Sequence, residues 1–278
     1  MKTRFKYFLT FFACLIIASY ALGGCTQQEV DNSQAIEAQK LAQRALDVHE
    51  VQNVMSKHQL IRDNIEELNT IWVRQDGPNA KTAKWTQPQG IWEGMESIMS
   101  YYGTAAREGE IRTLEAISEL YPEIKVVPEN YGIGDWGVNS PTNPVIEIAG
   151  DGKTAKGLWE SNGPYMSSSV VDGKVAVHGT WFWRTYAVDF MKEDGQWKIW
   201  HMNIVYDIST ALDAPYGMDY TKYQAPERDT YGGGGTPGLP APTGVNPNPY
   251  RNWSPTRVPE RQPRIPEPYY TFSETFSY

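Results

Sequence analysis

Three of the four Asp-Gly pairs constrain this chain more than any other feature, because each follows or precedes runs of alternating apolar and polar residues. They are Asp151-Gly152, Asp172-Gly173 and Asp194-Gly195. Asp-Gly favours the tight turn of a β-hairpin, and alternation is typical of a half-buried strand. We therefore predict strand pairs around the first and third turns, with a small extra hairpin at the second.

Helical patterns precede the strands. Apolar residues recur at helical spacing from Ile36 to Met55, with Ser33 as a plausible N-cap, and predict a long amphipathic helix. Residues 62–71 continue as a shorter helix, residues 84–94 as a strand, and a further helix runs from Met95 to about Glu108. The region 109–144 is expected to be partly helical and otherwise loop. This order predicts an α+β fold with helices on one face of a strongly curved antiparallel sheet.

The first 24 residues read as an export signal, with three cations ahead of an apolar run from Tyr7 to Leu22. Leu22 to Cys25 resembles the lipobox of bacterial lipoproteins, which implies a lipid on Cys25 and an exported, membrane-anchored protein of the cell envelope. A plain secretory signal with a chance cysteine is the alternative. Residues 25–33 would then be a polar tether.

Charge and cysteine content narrow the function classes. The chain has 2 cysteines and a formal charge of −8, and removing the signal leaves −11 because that segment holds three cations and no anions. Such a surface repels phosphate backbones, which argues against nucleic acid as a partner. With Cys14 removed and Cys25 lipidated, no disulfide can form, and stability must come from a packed core.

The chain changes character at residue 211. Prolines, a glycine run at 232–235 and scattered aromatics fill residues 211–278, a composition that predicts an extended Pro/Gly-rich tail without a core of its own. Seven of its residues are aromatic beyond residue 249, which a free linker would not need. We expect the tail to lie along the domain or along a partner subunit.

Residues 34–210 resemble SnoaL-like proteins of the nuclear transport factor 2 superfamily. The resemblance is carried by the element order and by the stretches VIEIAGDGKTAKGLW and YAVDFMKEDGQWKIWHMNIVYD. It implies a cone-shaped fold with a pocket at the open end. In such enzymes a carboxylate or histidine in an apolar cavity moves a proton next to a carbonyl, without a cofactor or metal, while other members only bind or dimerise.

His201 and Asn203 are the first candidate site residues. In a regular strand they share a face with Trp197, Ile199 and Val205. If that face lines the pocket, His201 can transfer a proton and Asn203 can orient a ligand. The alternative is that His201 fills the core and makes a structural hydrogen bond.

Further candidates lie at the helix junction and on the preceding strand. Asp63 is the carboxylate partner proposed for His201, with helix capping as its alternative role, and His58 is a ligand-binding candidate near the same mouth. Trp183 and Tyr186 are candidates for the pocket wall, where Tyr186 could donate its hydroxyl and Arg184 could hold an acidic group. The alternative role of Trp183 is packing in the core, because aromatic pairs on a sheet are more often core residues.

Two functions follow from these patterns. The first is a cofactor-free lyase or isomerase acting on a hydrophobic carbonyl compound. The second is a non-catalytic, lipid-anchored binding or assembly protein whose pocket its own side chains or tail fill. Because the long strands carry large apolar residues on both faces, we also expect a homodimer through the outer face of the sheet. Dehydratases of this family tend to place a tyrosine and a histidine together near the end of the first helix. The corresponding stretch here, HQLIRDN, contains no tyrosine.

Overall fold

The computed structural model describes residues 32–61, 65–211, 240–246, 258 and 263–278. The chain divides into two compact units, Met1–Gln43 and Arg44–Tyr278. Of the first unit the described residues are the helical start of α1, whose side chains are exposed. The packing described below belongs to the second unit. The predicted lipidation site Cys25 and Asp63, the predicted carboxylate partner of His201, lie outside the described residues.

Two helices come first in the chain, as the spacing of apolar residues predicts. Helix α1 spans Ser33–Ile61 and α2 spans Ile65–Ile71. After two short strands, a helical stretch runs from α3 (Met95–Ile98) through a π-helix (Met99–Ala105) into α4 (Ala106–Leu120). This helical stretch ends at Leu120, twelve residues after the end at Glu108 that the sequence predicts. No described helix is both long and apolar enough to cross a membrane.

Within the described residues, seven strands form one sheet. They are β1 (Lys84–Gln87), β2 (Gly90–Glu93), β3 (Trp136–Gly137), β4 (Ser140–Ile148), β5 (Thr154–Val171), β6 (Lys174–Glu193) and β7 (Gln196–Ala211). The order is β2-β1-β7-β6-β5-β3, with β4 also paired to β5. The predicted purely antiparallel sheet is wrong in one place, because β1 runs parallel to β7. The fold is therefore α+β, with helices packed on a mixed sheet.

The Asp-Gly turns join the long strands. Asp172 and Gly173 connect β5 to β6, and both have positive φ, at 50° and 70°. Asp194 and Gly195 connect β6 to β7 and also have positive φ, at 49° and 77°. Positive φ at both central residues is the turn that matches the twist of a hairpin. The turn at 172–173 closes the longest hairpin of the sheet rather than the small extra hairpin predicted.

The core lies between the helices and one face of the sheet, called the inner face here. Its side chains come from α1, α2 and α3 and from alternate residues of the strands. The largest fully buried members are Trp72, Trp92, Trp159, Phe190, Met55 and Leu68. No disulfide is needed to hold these layers, since large apolar side chains buried at about 1.5–3 kcal/mol each supply the driving force.

A bulge in β7 changes which side chains face the core. Phe190 of β6 pairs with Ile199, but the preceding Asp189 pairs with His201, so Trp200 is one residue extra. Paired residues share a face, and successive residues of a strand alternate. Ile199 therefore points to the inner face with Phe190, and His201 points to the opposite, outer face with Asp189. The expectation that His201 and Asn203 share a face with Trp197 and Ile199 is wrong for this reason.

Two pieces of the distal chain pack on the domain. Residues 240–246 lie against the edge strand β2, where Ile91 exchanges backbone hydrogen bonds with Thr243 and Gly244. Residues 263–278, called the aromatic segment here, lie on the outer face, where the amides of Gly150 and Asp151 donate to the carbonyls of Tyr269 and Tyr270. Backbone pairing and aromatic contacts therefore fix both pieces to the sheet.

Candidate functional site

His201 lies in a polar cluster on the outer face. Its Nδ1 atom is 2.8 Å from Oδ2 of Asp189, and its Nε2 atom is 3.0 Å from the carbonyl oxygen of Thr82. The ring stacks on Trp200 with 4.0 Å between centroids and is 5% exposed. His201 is therefore enclosed by polar partners and by the aromatic segment, and does not line an apolar pocket with Trp197.

Asp189 connects this cluster. The opposite carboxylate oxygen, Oδ1, accepts from Lys156 at 2.5 Å, and the register of the strands places Lys156, Asp189 and His201 side by side on β5, β6 and β7. Oδ2 also accepts from the backbone amide of Tyr278 at 2.9 Å. Lys156 and Asp189 are both fully buried. This outer cluster is an ion network in which each charged group has a hydrogen-bond partner.

The electrostatics of the outer cluster follow from that burial. Burial acts to raise the pKa of Asp189, but the hydrogen bond from His201 and the charge of Lys156 outweigh it and hold that pKa below its ordinary value. For Lys156 burial dominates, and its pKa is lowered despite the attraction of Asp189. The carboxylate of Asp189 is therefore ionised, whereas burial disfavours the charged form of Lys156.

Two other predicted site residues also lie on the outer face. Trp183 is 37% exposed and its ring is 5.8 Å from that of Trp181. Asn203 follows His201 on β7 at the next outward position, and its Oδ1 atom is buried without a hydrogen-bond partner. Neither faces the core. The predicted homodimer would have to use the part of the outer face that the aromatic segment leaves open, as at Trp183, and it stays a prediction.

His58 lies on the inner side, in the last turn of α1. Its Nε2 atom is 2.9 Å from the hydroxyl of Tyr102, its Nδ1 atom is 3.2 Å from Nε2 of Gln59, and the side chain is buried. The rings of His58 and Tyr102 stack with centroids 5.8 Å apart. The sequence HQLIRDN contains no tyrosine, but the π-helix brings Tyr102 to the histidine from 44 residues away.

Tyr186 and Arg184 extend the inner cluster along β6. The ring of Tyr186 meets His58 edge-on at 6.1 Å, and Arg184 contacts the Tyr186 side chain. The guanidinium of Arg184 lies over the rings of Phe182 and Tyr206, at 4.0 and 4.7 Å. Burial opposes its charge, but neighbouring Tyr206 and Tyr186 outweigh that effect, and the pKa of Arg184 is raised above its ordinary value. The group stays a cation beside an apolar core.

Two polar atoms of this inner cluster lack a partner. Ser161 lies opposite Arg184 in the register of β5 and β6, so both side chains point to the inner face. The hydroxyl of Ser161 and the Nε atom of Arg184 are buried without a hydrogen-bond partner. Such groups are uncommon because an unmade buried hydrogen bond costs about 1–3 kcal/mol. The inner cluster is therefore unsatisfied at these two atoms, although Nη1 of Arg184 donates to Oδ1 of Asn139 at 3.4 Å.

The structure separates residues that the sequence analysis grouped. His58, Tyr186 and Arg184 converge on the inner face, while His201, Asn203 and Trp183 lie on the other side of the sheet. Sequence reasoning missed Tyr102, Ser161 and the pair Lys156–Asp189. Asp189 could have been noticed as a carboxylate in the middle of an apolar strand, but nothing local distinguishes Tyr102 or Ser161.

A separate groove of about 580 Å³ lies between the β2–α3 connection and the loop before β1. It is lined by Gln75, Ala80, Lys81, Glu93, Gly94, Met95, Glu96, Ser97 and Ser100. None of the predicted site residues lines it. Within the described ranges no three histidine, cysteine, aspartate or glutamate side chains converge closely enough to hold a metal ion.

Replacing Asp189 by Asn should destabilise the domain by about 3–5 kcal/mol, because Lys156 would be left as a buried charge without a counter-charge and the His201 ring would lose the carboxylate that it contacts. Equilibrium urea denaturation at pH 7 measures the loss. Since the folded pKa of Asp189 is lowered, its contribution is present above the unfolded value of about 4 and disappears as the pH falls through the folded value.

The matched control is Asp172→Asn, which removes the same charge at an exposed turn where asparagine tolerates the positive φ. It should change the free energy of unfolding by no more than about 0.5 kcal/mol. Equal effects of the two changes would show that the buried network contributes nothing.

Comparison with known proteins gives structural similarity without a sequence match. No family model matches the chain, and no curated protein matches it. A hexachlorocyclohexane dehydrochlorinase (LinA Type2) is 16% identical, with a TM-score of 0.42 over 69% of this chain and 99% of its own. The LinA-type3 enzyme from Novosphingobium barchaimii LL02 is 16% identical, with a TM-score of 0.40 over 65% and 97%. A nuclear transport factor 2-like superfamily protein from Salmonella enterica is 12% identical, with a TM-score of 0.38 over 62% and 99%.

Proposed function

We propose that the domain binds a small, hydrophobic molecule with a carbonyl or acidic group on the inner face of the sheet. We further propose that it transfers a proton on that molecule without a cofactor, as a lyase or isomerase of the dehydratase or cyclase type. The observation that carries this proposal is the pair of unpartnered buried polar atoms, Ser161 Oγ and Arg184 Nε, next to His58 and Tyr102.

The unpartnered atoms define what the ligand would present. Both can donate a hydrogen bond, and they lie opposite each other on neighbouring strands. A carboxylate, or the oxygen of a carbonyl that gains charge during proton transfer, accepts from a guanidinium with charge assistance. The rings of Phe182 and Tyr206 both contact the guanidinium and help to hold it in place. We therefore assign Arg184 and Ser161 the role of holding an oxygen of the ligand.

His58 and Tyr102 supply the proton chemistry in this proposal. The amide of Gln59 is placed to donate to Nδ1 of His58, which leaves the ring proton on Nε2, facing the hydroxyl of Tyr102 at 2.9 Å. A histidine and tyrosine in direct contact can pass a proton to or from a bound molecule. Tyr186, edge-on to the histidine, hydrogen-bonds Arg184 and so connects the histidine to the groups that would hold the ligand oxygen. His201 has no part in this step because it lies on the opposite face.

A non-catalytic binding or assembly protein is the second candidate, and one observation favours it. His58 is 3% exposed and Tyr186 is 2% exposed, so the protein's own side chains cover the histidine. A ligand that only needed Arg184 and Ser161 would not have to reach His58. The two candidates share the binding site and differ in whether the histidine acts on the ligand.

Ser161→Ala should stabilise the fold by about 1 kcal/mol and weaken ligand binding, since it removes a buried hydroxyl that has no partner within the protein. Urea denaturation measures the stability, and native mass spectrometry measures the small molecule that co-purifies. Ser118→Ala is the control, because that hydroxyl donates to the carbonyl of Ile124 at 2.7 Å. The control should lose stability and keep the ligand. A Ser161→Ala protein that behaves like the control would contradict the site.

Exchange of the bound ligand's protons separates the enzyme from the binding protein. In D₂O the wild-type protein should incorporate deuterium next to the carbonyl of the co-purified molecule, and His58→Gln should retain the ligand but lose most of that exchange, on the order of 10²–10⁴-fold. His178→Gln, a change at an exposed histidine, should behave as wild type. Mass spectrometry reads the exchange. Ligand bound without any exchange in the wild type would favour the non-catalytic candidate.

We propose that the mature protein is exported and anchored to the bacterial cell envelope through a lipid on Cys25. The support is the sequence Leu22-Gly23-Gly24-Cys25 after an apolar run with cations ahead of it. Cys25→Ser should release the protein from the membrane or leave the signal uncleaved. Detergent phase partitioning tests this, and wild-type protein found wholly in the aqueous phase would contradict the anchor.

A further inference from the structure

Arg184 is a half-buried cation that contacts only neutral groups in the described part of the chain. Those groups are the Oδ1 atom of Asn139 at 3.4 Å, the hydroxyl of Tyr186 and the rings of Phe182 and Tyr206. No described aspartate or glutamate forms an ion pair with the guanidinium. Because an arginine side chain stays protonated in proteins, Arg184 carries a charge without a counter-charge among these residues.

Such an arrangement is unusual for a charge that is removed from water. The lost hydration is normally replaced by an opposite charge together with hydrogen bonds. Lys156 and Lys192 follow this rule, since each contacts a carboxylate, at Asp189 and Asp47 respectively. At Arg184, neutral oxygens and ring faces replace only part of the hydration, and the buried Nε atom has no hydrogen-bond partner. The surroundings of Arg184 therefore favour the binding of an anion.

Ser161 supplies a second donor beside the guanidinium. It pairs with Arg184 across β5 and β6, is 3% exposed, and has a hydroxyl without a hydrogen-bond partner. The hydroxyl and the Nε–H group can both donate, whereas a carboxylate only accepts and offers about four acceptor positions on its two oxygens. A neutral carbonyl could accept from both donors but would leave the charge of Arg184 uncompensated. A carboxylate satisfies the donors and the charge together.

The connector between β3 and β4, residues 138–139, encloses the guanidinium at the edge of the sheet. Gly163 lies two residues after Ser161 on β5, so both positions face the inner side. A Cβ atom on Gly163 would lie 1.7 Å from the carbonyl oxygen of Val138, which shows that the connector crosses directly over this glycine. The crossing places Asn139 against Nη1 of Arg184. Asn139 therefore positions the guanidinium with an amide oxygen, where an aspartate would have supplied a counter-charge.

We propose that the inner site is specific for a carboxylate, which accepts hydrogen bonds from Arg184 and Ser161 while Asn139 holds the guanidinium in place. This inference rests on the proposed function and narrows its ligand from a carbonyl or acidic compound to a small carboxylic acid with an apolar body. The aromatic rings beside the guanidinium provide the apolar surface for that body. The carboxylate is then an anchor, and the proton is moved at another position of the molecule.

Matched acids and amides test the specificity on the full chain. Acetate, benzoate and 3-phenylpropanoate are compared with acetamide, benzamide and 3-phenylpropanamide, which have nearly the same shape and a carbonyl oxygen but no charge. Ligand-observed NMR at pH 7 measures each dissociation constant. At least one acid should bind more tightly than its amide by about tenfold or more. Equal binding of every acid and its amide overturns the inference, and so does a protein that binds no acid of the series.

Arg184→Gln assigns the effect, because it removes the charge and keeps an amide donor. Binding of the acid should weaken by about 10²-fold and binding of the amide by less than about tenfold, so that the preference for the acid disappears. Arg112→Gln is the matched control, since Arg112 is exposed on α4, and it should keep the preference. A preference that survives in Arg184→Gln overturns the inference. If acid and amide bind equally and both depend on Arg184, the proposed binding site stands and its specificity for acids fails.

Asn139→Asp tests the counter-charge without any ligand. The new carboxylate would replace an amide oxygen that lies 3.4 Å from Nη1 of Arg184 and would pair with the guanidinium. The urea midpoint should rise, and binding of the acid should weaken by about tenfold or more because the counter-charge is already present. Asn53→Asp makes the same change at an exposed position of α1 and should alter neither property.

An Asn139→Asp protein whose urea midpoint is unchanged or lower overturns the inference. The urea midpoint and the dissociation constants do not depend on turnover. The carboxylate specificity can therefore fail while the proposed proton transfer stands, and deuterium exchange of the co-purified molecule can fail while the carboxylate specificity stands.

Discussion

Trp200 is one residue more in β7 than the pairing with β6 accommodates, and the faces of the side chains from His201 to Tyr206 depend on it. Up to Ile199 the inward residues are Trp197 and Ile199, and beyond the bulge they are Met202 and Ile204. An extra residue shifts the two-residue period of a strand by one and exchanges its faces. The bulge therefore sends His201 outward to Asp189 and keeps the apolar residues on both sides of it in the core.

The exchange of faces gives the sheet two polar clusters with different chemistry. On the outer face, Lys156, Asp189 and His201 satisfy one another and the aromatic segment, which is how a buried network avoids a penalty for unpaired charge. On the inner face, Ser161 and Arg184 keep buried donors without partners beside His58 and Tyr102. Satisfied polar groups serve the fold, and unsatisfied ones are available to a ligand. Asn203 Oδ1 is likewise unpartnered on the outer face, but the inner face also places the histidine–tyrosine pair beside its unpartnered donors, and the proposed binding site therefore lies there.

The aromatic segment stabilises the outer cluster together with the strands. A lysine and an aspartate with no exposed surface need a cover, and Phe272, Phe276 and Tyr278 provide it above Lys156. The backbone amide of Tyr278 completes the hydrogen bonds of Asp189.

The sequence by itself determined the local elements. The helical spacing after Ser33, the Asp-Gly turns and the alternating runs are short-range signals, and they located α1, the β4–β5 and β6–β7 strand pairs and the α+β class. It also proposed His58, Tyr186 and Arg184 as candidate site residues, His58 from its place near the end of the first helix and the other two from a strand face that could form a pocket wall. The aromatic residues beyond residue 249 indicated that this part of the chain packs against a surface.

Tertiary structure decided the rest. The parallel pairing of β1 with β7 joins residues more than 100 apart, and the bulge at Trp200 is visible only in the register of two strands. The meeting of His58 with Tyr102, and of Lys156 with Asp189 and the aromatic segment, likewise joins distant parts of the chain. A pattern along the sequence records periodicity but not which strands pair or where the period shifts. The face of the sheet on which His201 lies was therefore decided by pairing alone.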